Sequence, residues 1–179
     1  GYDEHQFCIR TLNRFFNALG WDVENKQNKS EWYCDTIFQF KLKKNDTTKF
    51  PDYAFGFPAK NNAKFFAEAK TPSTIIHTDK DTALQIRRYG KTAGHAISVA
   101  TNFEEFAFYD CTIRAKESDR AKVGRLDYFT YKEYPEKFDL LWELFSKEGI
   151  EQGYHDKYIK TDTKKKGSAP LDKDFVATL

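Results

Sequence analysis

The chain has 179 residues, 40% of them hydrophobic and 31% charged, and a formal net charge of +2. That is enough for one domain with a sizeable core; the charge is too small to mark a nucleic-acid binder by itself, so any such surface has to come from local clustering. No apolar run reaches the roughly 18–20 residues that cross a bilayer, no secretory pattern is present, and the odd set Cys8, Cys34 and Cys111, without a C-x-x-C pair, indicates neither a zinc site nor a disulfide framework.

A reducing cytoplasm is the simplest setting for such cysteines, which are expected to pack in the core. With 17 Phe and 10 Tyr, that core is expected to be rich in Phe. The chain contains no Met, the mark either of a fragment or processed chain or of modified methionines left out of the written sequence. Its last residues, 171–179, read as the start of a further helix, so the natural chain is expected to continue.

In chain order, Cys8, Leu12, Phe15, Phe16 and Leu19 recur at helical spacing, which predicts an amphipathic helix over 3–19 that Gly20 ends. Residues 23–33 are polar and irregular and predict a loop. A strand is expected over Thr36–Lys43, a turn at 43–46, a second strand from about Asp52 to Phe57, a connection over Pro58–Asn62 and a third strand over Lys64–Lys70. Thr78 with Asp81 predicts a helix start, with the helix running to Tyr89 or Thr92 before Gly94 closes it.

Ala96–Thr101 has the apolar run of a buried strand, with Glu105–Cys111 beside it. A polar loop over 114–124, a short strand over Leu126–Tyr131 and a helix after Pro135 carrying Phe138, Leu141, Trp142 and Phe145 complete the domain, 1–160. Residues 161–170, with Lys164, Lys165 and Lys166, read as a basic linker, the plain form of which is a solvated tether. No internal repeat is visible.

One set of residues can carry chemistry. Phe66, Glu68 and Lys70 share one face of the third strand and Phe65, Ala67 and Ala69 the other, so Glu68 and Lys70 point the same way about 7 Å apart. Charges at the end of an apolar run are costly unless they serve a partner or a metal. Asp52 opens the preceding strand, and a hairpin between the two brings Asp52 and Glu68 to one end. Two carboxylates and the Ala69 carbonyl suit a hard cation such as Mg²⁺, which polarises a phosphate and acidifies a water. Lys70 is placed to hold the attacking water or neutralise the developing charge. The plainer reading of the same residues is a surface ion pair.

Gln85 and Tyr89 stand four apart on one helical face, offering an amide, a hydroxyl and a stacking ring to a phosphate or base. Arg87 and Arg88 beside them are candidate DNA contacts through their phosphate-pairing guanidinium groups; the alternative is a core-packing Tyr with solvated arginines. Glu4, from the first helix, is either a third metal-binding acid or an acid stabilised by the helix dipole. His5, His77, His95 and His155 fall in no metal-ligand or triad spacing.

Pro51-Asp52, Glu68-Ala69-Lys70 and Gln85…Tyr89 resemble the PD-(D/E)xK nuclease superfamily, the last pair matching the QxxxY motif of a subset of it. Leu19-Gly20-Trp21-Asp22, Pro51 through Phe55, Phe66 through Pro72, Gln85 through Gly90 and Thr101 through Phe106 are similar to runs in the amino-terminal nuclease domain of restriction enzymes, both type I R subunits and single-chain type IIG and ISP enzymes. The resemblance spans most of residues 4–160. It implies an α/β restriction-endonuclease-like core, a mixed central sheet flanked by helices in the order αβββαβ. It also implies Mg²⁺-dependent cleavage of double-stranded DNA, with Mn²⁺ as a substitute, and methyltransferase, translocase and target-recognition parts elsewhere in the chain or complex. Asp52 and Glu68 would hold metal, with Glu4 as the third acid; Lys70 would assist the nucleophile, and Gln85 and Tyr89 would orient DNA. A recombination or repair nuclease with the same motif, or a nuclease-like fold that only binds nucleic acid, remains an alternative.

Overall fold

A helix forms where hydrophobic residues recur at helical spacing. Cys8, Leu12 and Phe16 are buried on one stripe of α1 (Glu4–Ala18), and Gly20, at φ +94, turns the chain out of it in a left-handed conformation that Gly adopts without steric penalty. The computed structural model describes residues 4–160, with side chains from Gln6 onward. The expected linker at 161–170 and the segment 171–179 lie outside the described residues. No helix among the described residues is long and apolar enough to cross a membrane.

Six strands make the central sheet: β1 (Thr36–Phe38), β4 (Tyr53–Phe57), β5 (Asn62–Ala69), β6 (Ile97–Thr101), β7 (Glu105–Asp110) and β8 (Arg125–Thr130), in the spatial order β1-β4-β5-β6-β7-β8. The β5–β6 pair is parallel and the other neighbours are antiparallel. A parallel pair needs a crossover, and α2 (Lys80–Ala93) supplies it. Two further strands, β2 (Leu42–Lys44) and β3 (Thr47–Lys49), pair only with each other. The chain closes with α3 (Tyr134–Phe145) and α4 (Lys147–Glu151).

Helices cover both faces of this mixed sheet. On one face Phe65, Ala67 and Ala69 of β5 pack with Leu12 and Phe16 of α1 and with Leu141, Leu144 and Phe145 of α3. On the other, Phe66 and Ala54 pack with Ala83 and Ile86 of α2. A strand covered on both sides reads as a near-continuous apolar run, and β5 does so until Glu68. The fold is a mixed α/β sheet flanked by helices, compatible with a restriction-endonuclease-like core. The Phe-rich core is present, and all three cysteines are buried and free.

Three sequence expectations shift. The strand expected over Thr36–Lys43 is broken. Gln39 sits at φ +52, and its amide and that of Phe40 bond to the carbonyls of Asp52 and Pro51, which carries the chain off the sheet edge into the β2–β3 hairpin. The helix expected from Thr78 starts instead at Lys80, because the Asp79 carboxylate accepts from the amides of Asp81 and Thr82 and caps it. Phe138, expected on the buried side of the last helix, is exposed and stacks on Trp142.

Gly90 fixes how closely α2 approaches the sheet. A side-chain carbon there would come within 2.6 Å of Ser98 Oγ, so the helix backbone lies directly on β6. That close seat sets α2, and with it Gln85 and Tyr89, against the end of β5.

Candidate active site

The β4–β5 register pairs Tyr53 with Ala67. Continued by one residue, it sets Asp52 opposite Glu68. Asp52 is buried, and each of its carboxylate oxygens holds a donor: Oδ2 accepts from the Ala69 amide at 2.8 Å and Oδ1 from Gln39 Nε2 at 2.6 Å. The left-handed turn at Gln39 that breaks the first strand is what brings this amide to Asp52.

Glu68 is 6% exposed. Its Oε1 accepts from Gln85 Nε2 at 2.9 Å and from Lys70 Nζ at 3.4 Å, whereas its Oε2 is buried without a hydrogen-bond partner. Burial, and then the negative charge of Asp52, push its carboxyl up to about 7. The Lys70 ammonium and the Asp52 backbone amide pull the other way without cancelling those effects.

Lys70, just past the end of β5, is anchored by its backbone amide to the Thr101 carbonyl (3.0 Å). Its Nζ donates to Gln85 Oε1 at 2.9 Å. The Gln85 amide therefore spends both ends on the cluster, and its nitrogen also donates to the Tyr89 hydroxyl at 3.0 Å. Strand parity puts Glu68 and Lys70 on one face of the sheet and helical spacing puts Gln85 and Tyr89 on one face of α2; the close seat of α2 on the sheet makes the two faces meet. Burial raises the Tyr89 hydroxyl, with the Gln85 hydrogen bond opposing it. The structure thus brings Asp52, Glu68, Lys70, Gln85 and Tyr89 together.

It does not bring Arg87 to them. Arg87 is 1% exposed; its Nη1 pairs with Asp119 Oδ2 at 2.9 Å, and Nη2 reaches the carbonyls of Ile113 and Arg114. Two residues along a helix is about 200° of rotation, so Arg87 faces away from Gln85 and ties the 113–119 loop to α2. Arg88 is half-buried and pairs with Glu117. Glu4 is the first residue of α1, but its side chain lies outside the described residues.

On the sheet face opposite α2, Cys8 of α1 donates its thiol to the Lys70 carbonyl at 2.8 Å. Burial, and secondarily Asp52, push that thiol up to about 11. No described histidine joins the site: His155 bonds to the Leu144 carbonyl, His95 packs on Phe66 and His77 on Tyr128.

Sequence reasoning missed Gln39 and Lys49. Lys49 Nζ lies 5.6 Å from the centre of the Tyr89 ring. No spacing signal marks Gln39; Lys49 belongs to a Lys-rich run, Lys41, Lys43, Lys44 and Lys49, that was legible as charge but not as position.

Among the described residues no group of three or more His, Cys, Asp and Glu side chains converges as a metal site. The donor set is a pair of carboxylates, Asp52 and Glu68. That set fits Mg²⁺, which is usually held through one or two carboxylates with waters and substrate phosphates completing its shell. The orphaned Glu68 Oε2 is a buried lone-pair donor of the kind a hard cation satisfies.

No family model matches the chain. It is 38% identical over 157 residues to the type II restriction enzyme and methyltransferase RM.Eco57I of Escherichia coli, a similarity that covers 87% of this chain and 16% of that protein. The chain therefore spans about one sixth of the relative's length and is similar to one segment of a restriction enzyme.

Proposed function

We propose that this chain is the DNA-cleaving domain of a restriction-modification enzyme, a PD-(D/E)xK endonuclease that hydrolyses phosphodiesters of double-stranded DNA with Mg²⁺, or Mn²⁺ in its place. The observation that carries the reading is the buried Glu68 carboxylate, which has one oxygen held by Gln85 and Lys70 and the other unpartnered, opposite Asp52. The similarity to a segment of a restriction enzyme and methyltransferase supports the biological setting. On this reading the methyltransferase and target-recognition parts lie elsewhere in the chain or complex, with or without a translocase, and residues 1–160 form the nuclease unit.

Asp52 and Glu68, with the Ala69 carbonyl, would hold the cation, which supplies Lewis acidity toward the phosphate and the attacking water. The chain's own residues do the rest. Gln39 and the Ala69 amide orient Asp52. Gln85 orients Glu68 and Lys70 together. Lys70 Nζ, its charge directed toward Glu68, steadies the incoming water and offsets the negative charge that grows on the phosphate oxygens. Water adds to phosphorus and gives up a proton to solvent, the bridging P–O bond breaks, and the departing oxygen takes a proton from solvent. Tyr89, bonded to Gln85, and its neighbour Arg88 on α2 would position the DNA strand.

The test is Lys70→Ala and, separately, Asp52→Ala in the full-length enzyme, assayed for Mg²⁺-dependent cleavage of duplex DNA. Loss of at least about a hundredfold in rate is expected for each, the scale of removing a charge-stabilising group. Cleavage retained in either variant overturns the assignment.

A further inference from the structure

We propose that the β2–β3 hairpin is a DNA-backbone rail, on which Lys44 and Lys49, with Arg88 of α2, hold phosphates of a duplex strand leading to Asp52 and Glu68. The proposal rests on the nuclease reading above and adds residues and a mode of contact that it leaves open.

The hairpin's own pairing sets the geometry. Leu42 lies opposite Lys49 and Lys44 opposite Thr47, so these four side chains share one face and Lys43 takes the other. The shared face turns toward α2. Leu42 packs, with Tyr89 and Ala93 of α2, against the same buried cluster, and Lys44, Thr47, Lys49 and Thr92 are among the residues that line a cleft of about 170 Å³ between hairpin and helix. Lys49 Nζ lies 5.6 Å from the Tyr89 ring centre, and the Tyr89 hydroxyl receives the same Gln85 amide that holds Glu68. Lys49, on the wall of the cleft, is thus linked to Glu68 through the side chains of Tyr89 and Gln85.

Charge says what would sit there. Among the described residues neither Lys44 nor Lys49 has a carboxylate within ion-pair distance. Lys49 is crowded by other cations instead: burial first, then the charges of Arg88 and Lys44, lower its pKa. Arg88 is paired with Glu117, but the two lysines have no carboxylate partner, and like charges held together in this way create a local positive potential that attracts an anion. Asn45 and Thr47 at the hairpin tip add uncharged donors of the kind that contact phosphate oxygens. The chain's net charge is only +2, so this is a local feature. A phosphate polymer fits it, because the lysines lie along the hairpin beside an open cleft that leads toward Tyr89.

The experiment measures binding of the full chain to a fluorescent DNA duplex by anisotropy, without divalent metal, across about 50–200 mM salt. Lys44→Gln with Lys49→Gln is compared with Lys41→Gln with Lys43→Gln, which removes the same charge from the same hairpin. Each released phosphate contact lowers the log–log salt slope by about 0.9. The Lys44/Lys49 variant is expected to bind roughly tenfold more weakly, with a slope smaller by about 2. The Lys41/Lys43 variant is expected to lose less than about threefold, with circular dichroism checking that both fold. Equal losses in the two pairs, no loss in the first, or no duplex binding by the unsubstituted chain overturns the rail. The two readings fail separately: cleavage with an unchanged salt slope in the Lys44/Lys49 variant sinks the rail alone, and rail-dependent binding without Mg²⁺-dependent cleavage sinks the nuclease reading alone.

Discussion

Gln39 Nε2 donates to Asp52 Oδ1 across 2.6 Å, and the same residue's left-handed backbone, at φ +52, ends the first strand. One exposed residue therefore both turns the chain and sets the rotamer of a buried acid. Asn adopts the left-handed conformation more readily than Gln but is one methylene too short to make this bond. Gln39→Asn is expected to keep or slightly raise stability while lowering Mg²⁺-dependent cleavage about fivefold, the equivalent of roughly 1 kcal/mol for one hydrogen bond. Urea unfolding and cleavage rates check the two halves. Unchanged cleavage would show that the Ala69 amide alone orients Asp52.

Glu68 makes the fold pH-sensitive in a definite direction. Burial raises its carboxyl from 4.5 to about 7, so between those values the folded chain keeps a proton that the unfolded chain releases. Stability contributed by the protonated form is present below about 4.5 and is lost as pH rises through about 7, by an amount on the order of 3 kcal/mol. Glu68→Gln removes this term. Relative to the parent, the variant should gain stability between pH 5 and pH 8 while losing cleavage. A parent-minus-variant difference that stays flat with pH, measured by urea unfolding, sinks the argument.

Gln85 holds Glu68 and Lys70 on opposite ends of one amide. Removing it in Gln85→Ala takes a donor from the Glu68 carboxylate, whose pKa should rise further. The acidic limb of the pH profile for Mg²⁺-dependent kcat/KM should move to higher pH. Tyr89→Phe removes only the hydroxyl at the far side of that amide and should leave the limb where it is. Identical profiles for Gln85→Ala and the parent would place Gln85 outside the reaction.

Arg87 and Arg88 are neighbours in sequence with opposite fates. Arg87→Ala leaves Asp119 and the 113–119 loop without the buried guanidinium that ties them to α2 and should destabilise the fold clearly more than Arg88→Ala. Arg88→Ala, at an exposed pair with Glu117, should change stability by less than about 1 kcal/mol and instead weaken DNA binding. Equilibrium unfolding of the two variants distinguishes them.

Much of this architecture was legible because it follows from local rules. The stripe Cys8, Leu12, Phe16 marks α1, and the run Phe65 to Ala69 marks a strand buried on both faces. Period two sets Glu68 beside Lys70, and period 3.6 sets Gln85 beside Tyr89. The same helical period, applied to Arg87, places it about 200° from Gln85, so its separation from the cluster was also written locally, and its charge obscured it. The broken first strand was not legible: Gln39 has no compositional signature of a left-handed turn, and what holds it there is bonding to Asp52 and Pro51, thirteen and eleven residues further along for the backbone amides of Gln39 and Phe40.

By itself the sequence determined which residues share a face, because side-chain direction depends only on the backbone period of each element. It also supplied the two acids, the lysine and the Gln–Tyr pair, and the resemblance they carry. Only the tertiary structure decided which faces meet. The β4–β5 register set Asp52 across from Glu68, and the close seat of α2 at Gly90 brought Gln85 onto that carboxylate. The return of the hairpin laid Lys49 over Tyr89. Burial of Glu68 with an unpartnered oxygen, and the pKa that follows, arise from desolvation by distant segments. No local pattern records that, because it is a property of everything packed around the group.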